Sequence, residues 1–206
     1  MKRPVLIFDF GNVIAHFDYT LSFGRLGAPL GVTGADLLEH ARQLGLGVLL
    51  EEYEAGGTTS EAFSQAVRDR LGLSLGHEEF ALAWADIFRI NPSVASLVEL
   101  LKKRGYTLVL GSNTNEMHAT HFVKQFADTF RHFDRLVLSH QVGSIKPAIA
   151  FYEACARSVG AEPGGCVFID DLPANVEGAR QAGLQGVLYT DTPRLKEDLR
   201  GLGVEA

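Results

Sequence analysis

Cysteine is almost missing from this chain of 206 residues: Cys155 and Cys166 are the only two. That is too few for a disulfide framework, and nothing asks for an oxidising compartment. Long apolar runs are missing as well. None approaches the ~20 residues that cross a bilayer. The apolar start Val5-Leu6-Ile7-Phe8 is broken by Asp9 before it reaches the length of a signal-peptide core. Blocks of like charge are also missing. The net charge of −6 is spread along the sequence, which supplies bulk attraction neither to nucleic acid nor to an anionic membrane surface. The glycines form no G-x-G-x-x-G dinucleotide fingerprint, and there is no internal repeat or low-complexity tract. These absences lead us to expect a cytoplasmic globular protein with no nucleic-acid or membrane partner. An anionic substrate would have to be met by a local positive group, either a placed lysine or a metal ion.

What is present is ordinary in bulk, 46% hydrophobic and 21% charged, and informative in order. Five apolar runs read as buried strands: Val5–Phe10, Thr107–Gly111, Arg135–Leu138, Cys166–Ile169 and Gly186–Tyr189. They are continuous rather than alternating, as strands covered on both faces should be. Helical patterns lie between the later runs at 92–104, 147–158 and 174–182; Asn91 and Pro92 suit the first helix start, and Gly105 and Gly183 suit helix ends. The expected fold is α/β, a Rossmann-like parallel sheet with helices on both faces. Residues 17–88 carry no clear strand-like run. Capping boxes at Thr33–Asp36 and Thr58–Glu61, followed by apolar residues at helical spacing, predict a small all-helical cap of three or four helices inserted after the first strand. Its expected flexible points are Gly45–Gly47 and Gly56–Gly57. The expected division is therefore 1–16 and 89–206 for the α/β core and 17–88 for the cap.

Open α/β sheets build their sites at the carboxyl ends of the strands. Here those ends offer Asp9, then Ser112-Asn113-Thr114, then Lys146-Pro147, then Asp170-Asp171. Each piece alone has a plain structural reading. A strand-terminal Asp often caps a turn, Ser-Asn-Thr is turn chemistry, Lys-Pro can start a helix, and Asp170-Asp171 can cap the helix that follows. Together they are more specific. Three carboxylates converging with one lysine suit a hard divalent cation and a phosphoryl group, since the cation relieves repulsion between two anions.

The runs Phe8-Asp9-Phe10-Gly11-Asn12-Val13, Leu110-Gly111-Ser112-Asn113-Thr114-Asn115, Lys146-Pro147 and Ile169-Asp170-Asp171 resemble the four motifs of the haloacid-dehalogenase-like superfamily. Asn175, Glu177, Gly178 and Ala179 match the helix after the fourth motif, and the helical insert sits where that superfamily carries its small cap. Within it, the chain looks most like bacterial α-D-glucose-1-phosphate phosphatases and, more distantly, the phosphatase domain of soluble epoxide hydrolases. The resemblance implies an Mg²⁺-dependent phosphatase that forms an aspartyl-phosphate on Asp9 from a small phosphorylated metabolite, such as a hexose 1-phosphate. It also implies roles. Asp9 would be nucleophile and metal ligand, the Gly11 backbone carbonyl a second ligand, and Asp171 the main ligand from the fourth strand with Asp170 in support. Ser112 and the Asn113 amide would hold phosphate oxygens, and Lys146 would neutralise the phosphoryl group and Asp9.

The sequence departs from that pattern in one place. Most phosphatases of the superfamily carry an Asp two residues after the nucleophile, as general acid and base; Gly11 stands there instead, removing a contribution worth roughly 10²–10⁴-fold. His16, Asp18 and His118 are the nearest substitutes in sequence, each also readable as a solvent-facing or turn residue. His118-x-x-His121 reads as helix surface, and Trp84 with Phe80 and Phe88 as cap packing. A metal-independent 2-haloacid dehalogenase would keep Asp9 and Lys146 but has no use for two further carboxylates. A phosphonatase needs a cap lysine, and residues 17–88 contain none. A non-catalytic phosphosugar-binding protein would explain Gly11, but not the otherwise full set of metal and phosphate groups.

Overall fold

The apolar runs form the strands they predict, Arg135–Leu138 without change and the other four shifted by one or two residues at their ends. The computed structural model describes residues 3–206. In chain order its elements are β1 (Val5–Phe8), β2 (Ala15–Phe17), α1 (Tyr19–Gly27), α2 (Gly34–Gln43), α3 (Leu46–Glu54), α4 (Ser60–Leu71), α5 (His77–Ala85), β3 (Phe88–Ile90), α6 (Pro92–Lys103), β4 (Leu108–Ser112), α7 (Glu116–Gln125), α8 (Ala127–Phe130), β5 (Arg135–Leu138), α9 (Ser139–Val142), α10 (Ile149–Arg157), β6 (Cys166–Asp170), α11 (Pro173–Gln181), β7 (Gln185–Leu188) and α12 (Thr192–Gly201). Five strands make one parallel sheet in the order β5-β4-β1-β6-β7. The chain runs outward from β1 through β4 to β5, then crosses back to β6 on the other side of β1. That reversal opens a crevice at the carboxyl ends of β1, β4 and β6.

Alternate residues of β1 feed opposite faces, as the pleat requires. Leu6 and Phe8 join a core with Val94, Leu97, Val98 and Leu101 of α6, Phe122 of α7 and Leu195 and Leu199 of α12. Ile7 joins a second core with Phe151, Tyr152 and Cys155 of α10 and Ala179 of α11. Each large apolar side chain fully removed from water in these layers contributes about 1.5–3 kcal/mol. The C-terminal segment is thus part of the packing: Val204 and Ala206 are buried in the first core. Both cysteines are free and buried, and burial pushes the Cys155 thiol up to about 12. Among the described residues no helix is long and apolar enough to cross a membrane.

The insert and its exit into α6 depart from expectation in four ways. The insert holds five α-helices, α1 to α5, rather than three or four. The extra one is α3, whose start is masked in the sequence by Gly45 and Gly47: Gly45 sits at φ 70° as the residue before the helix, and Gly47 lies inside it. The second capping box shifts by one residue, since Thr59, not Thr58, caps α4 by accepting from Ala62 N–H. Asn91 does not cap α6; its amide donates to the Val13 carbonyl and to Tyr189 Oη instead. Finally, the insert is entered and left by strands. β2 and β3 pair antiparallel, with Ala15 opposite Ile90, His16 opposite Arg89 and Phe17 opposite Phe88. Three residues each are too short to show period-2 alternation in sequence. The helices enclose a third core of Phe23, Leu26, Leu37, Tyr53, Phe63, Val67, Phe80 and Trp84, into which α7 inserts Met117.

Candidate active site

Three of the five parallel strands, β1, β4 and β6, end around one point, and the loop that follows β5 and α9 reaches it. Asp9 follows β1 directly, and its N–H donates to the Ile169 carbonyl of the neighbouring β6, 2.9 Å. Asp170 ends β6 and Ser112 ends β4. Lys146 arrives on the loop after α9 and is held from three sides. Its backbone exchanges two hydrogen bonds with the Asn113 side chain: Lys146 N–H donates to Asn113 Oδ1 at 2.8 Å, and Asn113 Nδ2 donates to the Lys146 carbonyl at 3.1 Å. Next to it, Pro147 lies so close to α11 that a Cβ at Gly178 would fall 2.8 Å from the Pro147 carbonyl oxygen. Only glycine allows that approach. Beneath Lys146 lie the Phe168 and Phe151 rings, with Nζ 5.4 and 6.0 Å from their centroids.

So placed, Lys146 Nζ donates to Asp9 Oδ1 at 2.6 Å and to Asp170 Oδ2 at 2.7 Å. The three groups are buried at 4%, 7% and 0% exposure. Such short charge-assisted bonds in a dry site are strong, and leaving any member unpaired there is costly. Burial opposes the Lys146 ammonium, but Asp9 and Asp170 outweigh it and hold its pKa above the usual lysine value. Asp9 is left under-compensated. Burial raises its carboxyl to about 7, Lys146 pulling down and Asp170 pushing further up.

The two aspartates of the fourth strand end differ. Asp170 is fully engaged, accepting from Lys146 Nζ, from the Leu172 N–H and, through both oxygens, from Asn175 Nδ2. Asp171 is half-buried and, among the described residues, accepts from one other side chain, Asn12 Nδ2 at 3.2 Å. Burial raises its carboxyl, the Asn12 bond opposing and Asp170 reinforcing. Asn12 reaches it from a left-handed backbone, φ 56°, a conformation asparagine tolerates better than most residues. Oxygens of Asp9, Asp170 and Asp171 lie within 4.8 Å of one another. Three carboxylates against one lysine, two of them with raised pKa, make an oxygen-only donor set with excess negative charge. A hard divalent cation fits it.

The remaining sequence candidates separate. Ser112 is buried beside Asn113. Asp18 is exposed and caps α1 by accepting from Thr20 N–H and Oγ1, which lowers its pKa. His16 is exposed on β2 and lines a cleft of about 460 Å³ with Asn12 and Asp171. His118 is not helix surface: it is 2% exposed, because α5 lies across that face of α7. The space beside Gly11 is taken by Phe17, whose Cε1 lies 3.0 Å from where a Cβ would stand. Sequence reading also passed over Glu54. It ends α3 without a basic residue in the last turn, and an acid at a helix C-terminus opposes the dipole; that mismatch was the available signal.

Comparison with known proteins agrees with this geometry. Residues 4–183 match the family of haloacid dehalogenase-like hydrolases. The chain is 27% identical to a D-ribitol-5-phosphate phosphatase of Bacteroides thetaiotaomicron over 187 residues, 87% of this chain and 88% of that one. It is 26% identical to a phosphatase of Mycobacterium tuberculosis, covering 98% of this chain and 96% of the relative. Among solved structures, a HAD-like family hydrolase from Porphyromonas gingivalis superposes with a TM-score of 0.77 at 25% identity, 99% of each chain covered. A HAD family enzyme of Bacteroides thetaiotaomicron in complex with magnesium and inorganic phosphate superposes with a TM-score of 0.75 at 22% identity, over 94% of this chain and 99% of that one.

Proposed function

The chain belongs to the haloacid dehalogenase-like hydrolases and is a phosphoric monoester hydrolase; from that premise we propose that it dephosphorylates a small phosphorylated metabolite, such as a sugar or polyol phosphate, through an aspartyl-phosphate on Asp9. The observation that carries this reading is the buried Asp9–Lys146–Asp170 array with Asp171 beside it.

In this reading an Asp9 carboxylate oxygen attacks phosphorus, and the bond to the leaving oxygen breaks. Lys146 stands 2.6 Å from Asp9 and follows the negative charge as it moves onto the phosphoryl group. Asp170 holds the ammonium in place for this. The Ser112 hydroxyl and the Asn113 backbone N–H hold phosphoryl oxygens; the Asn113 side chain is already committed to the Lys146 backbone. Water then attacks the aspartyl-phosphate, and Asp9 is regenerated as phosphate leaves. Asp9, Asp171, the Gly11 carbonyl and, in support, Asp170 would hold Mg²⁺, which when bound would supply positive charge that offsets the repulsion of carboxylate and phosphate. The relatives' activities support the substrate class: one acts on D-ribitol-5-phosphate. The carboxylate cluster speaks against a metal-independent dehalogenase, which would gain nothing from it.

The test is phosphate release from an aryl phosphate and from a panel of sugar and polyol phosphates, with Mg²⁺ and with EDTA. Turnover that needs Mg²⁺ supports the reading. No release from any ester, or full activity in EDTA, overturns it.

A further inference from the structure

Gly11 leaves the leaving oxygen without a proton donor from the first motif. We propose that Glu54, brought in from the helical insert, exchanges a proton with the leaving oxygen and then with the attacking water. This inference rests on the phosphatase reading above.

The placement is built by the end of α3. Tyr53 Oη accepts from the Met117 N–H of α7 and pairs with Ser60 Oγ, which in turn donates to Glu116 of α7. Two residues beyond Glu54, Gly56 lies so close to α9 that a Cβ there would fall 2.4 Å from the His140 carbonyl oxygen. His140 itself pairs with the Thr114 carbonyl. The α3–α4 turn, which begins at Glu54, is thus pressed onto the loops that present Ser112 and Lys146. Glu54 is half-buried. It feels the charges of Lys146, Asp9 and Glu51, and it lies near Tyr19. No hydrogen bond from the described residues acts on its carboxyl, so both oxygens are free for a substrate or water.

The other groups near the site are committed or face elsewhere. His118 Nδ1 accepts from Asn115 and Nε2 donates to the Trp84 carbonyl. Asp18 is spent on its helix cap. His16 faces the cleft on the Asp171 side. The chemistry of Glu54 suits the task. Burial raises its carboxyl to about 7, with Lys146 opposing and Glu51 and Asp9 reinforcing. At neutral pH both protonation states are therefore populated, as an acid that becomes a base requires.

The steps balance. As the Asp9 oxygen–phosphorus bond forms and the ester oxygen departs with its electron pair, the protonated Glu54 transfers its proton to that oxygen, giving the alcohol and a Glu54 carboxylate. As water attacks phosphorus and the bond to Asp9 breaks, Glu54 takes the water's proton and returns to its starting form.

The experiment uses the full chain with Mg²⁺ and a series of phosphate monoesters from aryl to simple alkyl, comparing wild type, Glu54→Gln and His16→Ala. Wild type should show a shallow dependence of kcat/KM on leaving-group pKa. Glu54→Gln should lose about 100-fold or more on alkyl esters and far less on aryl esters. It should also release a burst of alcohol or phenol before a slow steady state, because hydrolysis of the aspartyl-phosphate lacks its base. An equal loss on all esters, unchanged alkyl rates in Glu54→Gln, or a dependence that steepens in His16→Ala instead would overturn the assignment. A wild type that cleaves no ester in the series overturns the phosphatase reading itself, and this inference with it.

Discussion

The Trp84 indole of α5 lies flat on the His118 imidazole of α7, ring centroids 5.5 Å apart and planes 3° from parallel. The Trp84 carbonyl accepts from His118 Nε2, and Asn115 Nδ2 donates to Nδ1. Both ring nitrogens are thereby used in one neutral tautomer. The insert is clasped to the helix that follows the second strand end, and the clasp holds only while the ring is uncharged.

Acid should open that clasp. Burial lowers the His118 pKa to about 3, the Trp84 carbonyl opposing and His121 reinforcing, against about 6.5 in an unfolded chain. The folded value is the lower one, so the unfolded state takes the proton first. The stability His118 contributes is complete above pH 6.5 and falls between about 6.5 and 3, by roughly 1.4 kcal/mol per unit. Asp9 and Glu54 act in the opposite sense, because their raised values favour the folded state as pH falls. Urea unfolding of wild type and His118→Gln from pH 7.5 to 4 separates the two. Wild type should be the more stable at pH 7.5, with the gap closing as pH falls; a constant gap refutes the prediction.

Asp9→Asn should lose roughly 10³-fold or more in kcat, since a neutral amide is no nucleophile toward phosphorus. It should keep its fold and, in EDTA, melt no lower than wild type. The raised carboxyl value shows that burial of the Asp9 charge is only partly offset by Lys146, and Lys146 keeps Asp170. Turnover close to wild type would exclude Asp9 as nucleophile.

The fourth-strand aspartates should divide stability from metal affinity. Asp170→Ala leaves the buried Lys146 ammonium with Asp9 alone and the Asn175 amide without its acceptor, and should cost about 3–5 kcal/mol. Asp171→Ala removes one 3.2 Å bond at a half-buried site and should cost about 1 kcal/mol or less. It should nevertheless raise the Mg²⁺ concentration for half-maximal activity more than Asp170→Asn does. Thermal melts and Mg²⁺ titrations on the same samples check both halves.

Gly11→Asp should fold, because Gly11 does not have positive φ and the nearest obstacle is the Phe17 ring edge at 3.0 Å, a partly exposed side chain that can turn aside. In a Glu54→Gln background it should restore alkyl-ester hydrolysis by about tenfold or more. Gly11→Asp/Phe17→Ala should do better still. No gain in either would show that the space beside Asp9 cannot serve an acid.

Much of this was legible in the sequence, for a physical reason. Fully buried strands leave continuous apolar runs, and a site at strand ends puts its residues where those runs stop. Asp9, Ser112 and Asp170 therefore declared themselves by position, Lys146 came eight residues after the third run, and the parallel sheet followed from the runs themselves. What stayed hidden depends on packing between distant segments. Glu54, Phe17 and the buried state of His118 are set by how the insert folds back over the strand ends, which no local period records. The β2–β3 ribbon was too short to alternate, and α3 was masked by the glycines at its start. Asn91 looked like a cap and was instead recruited by Val13 and Tyr189, seventy-eight and ninety-eight residues away.

The ribbon has one further consequence. Because Ala15 and Ile90 are partners across it, the chain returns to the sheet beside the place where it left. To β1 and α6, everything between is a single loop whose ends are already joined, and the entropy of closing such a loop grows only slowly with its length. The intervening helices can therefore be lengthened, shortened or exchanged for another set without moving Asp9, Lys146 or Asp170, so long as the new set supplies an acid where Glu54 stands and an apolar cover for Met117. A laboratory graft cut at the same rung of the ribbon inherits the same freedom and the same two conditions.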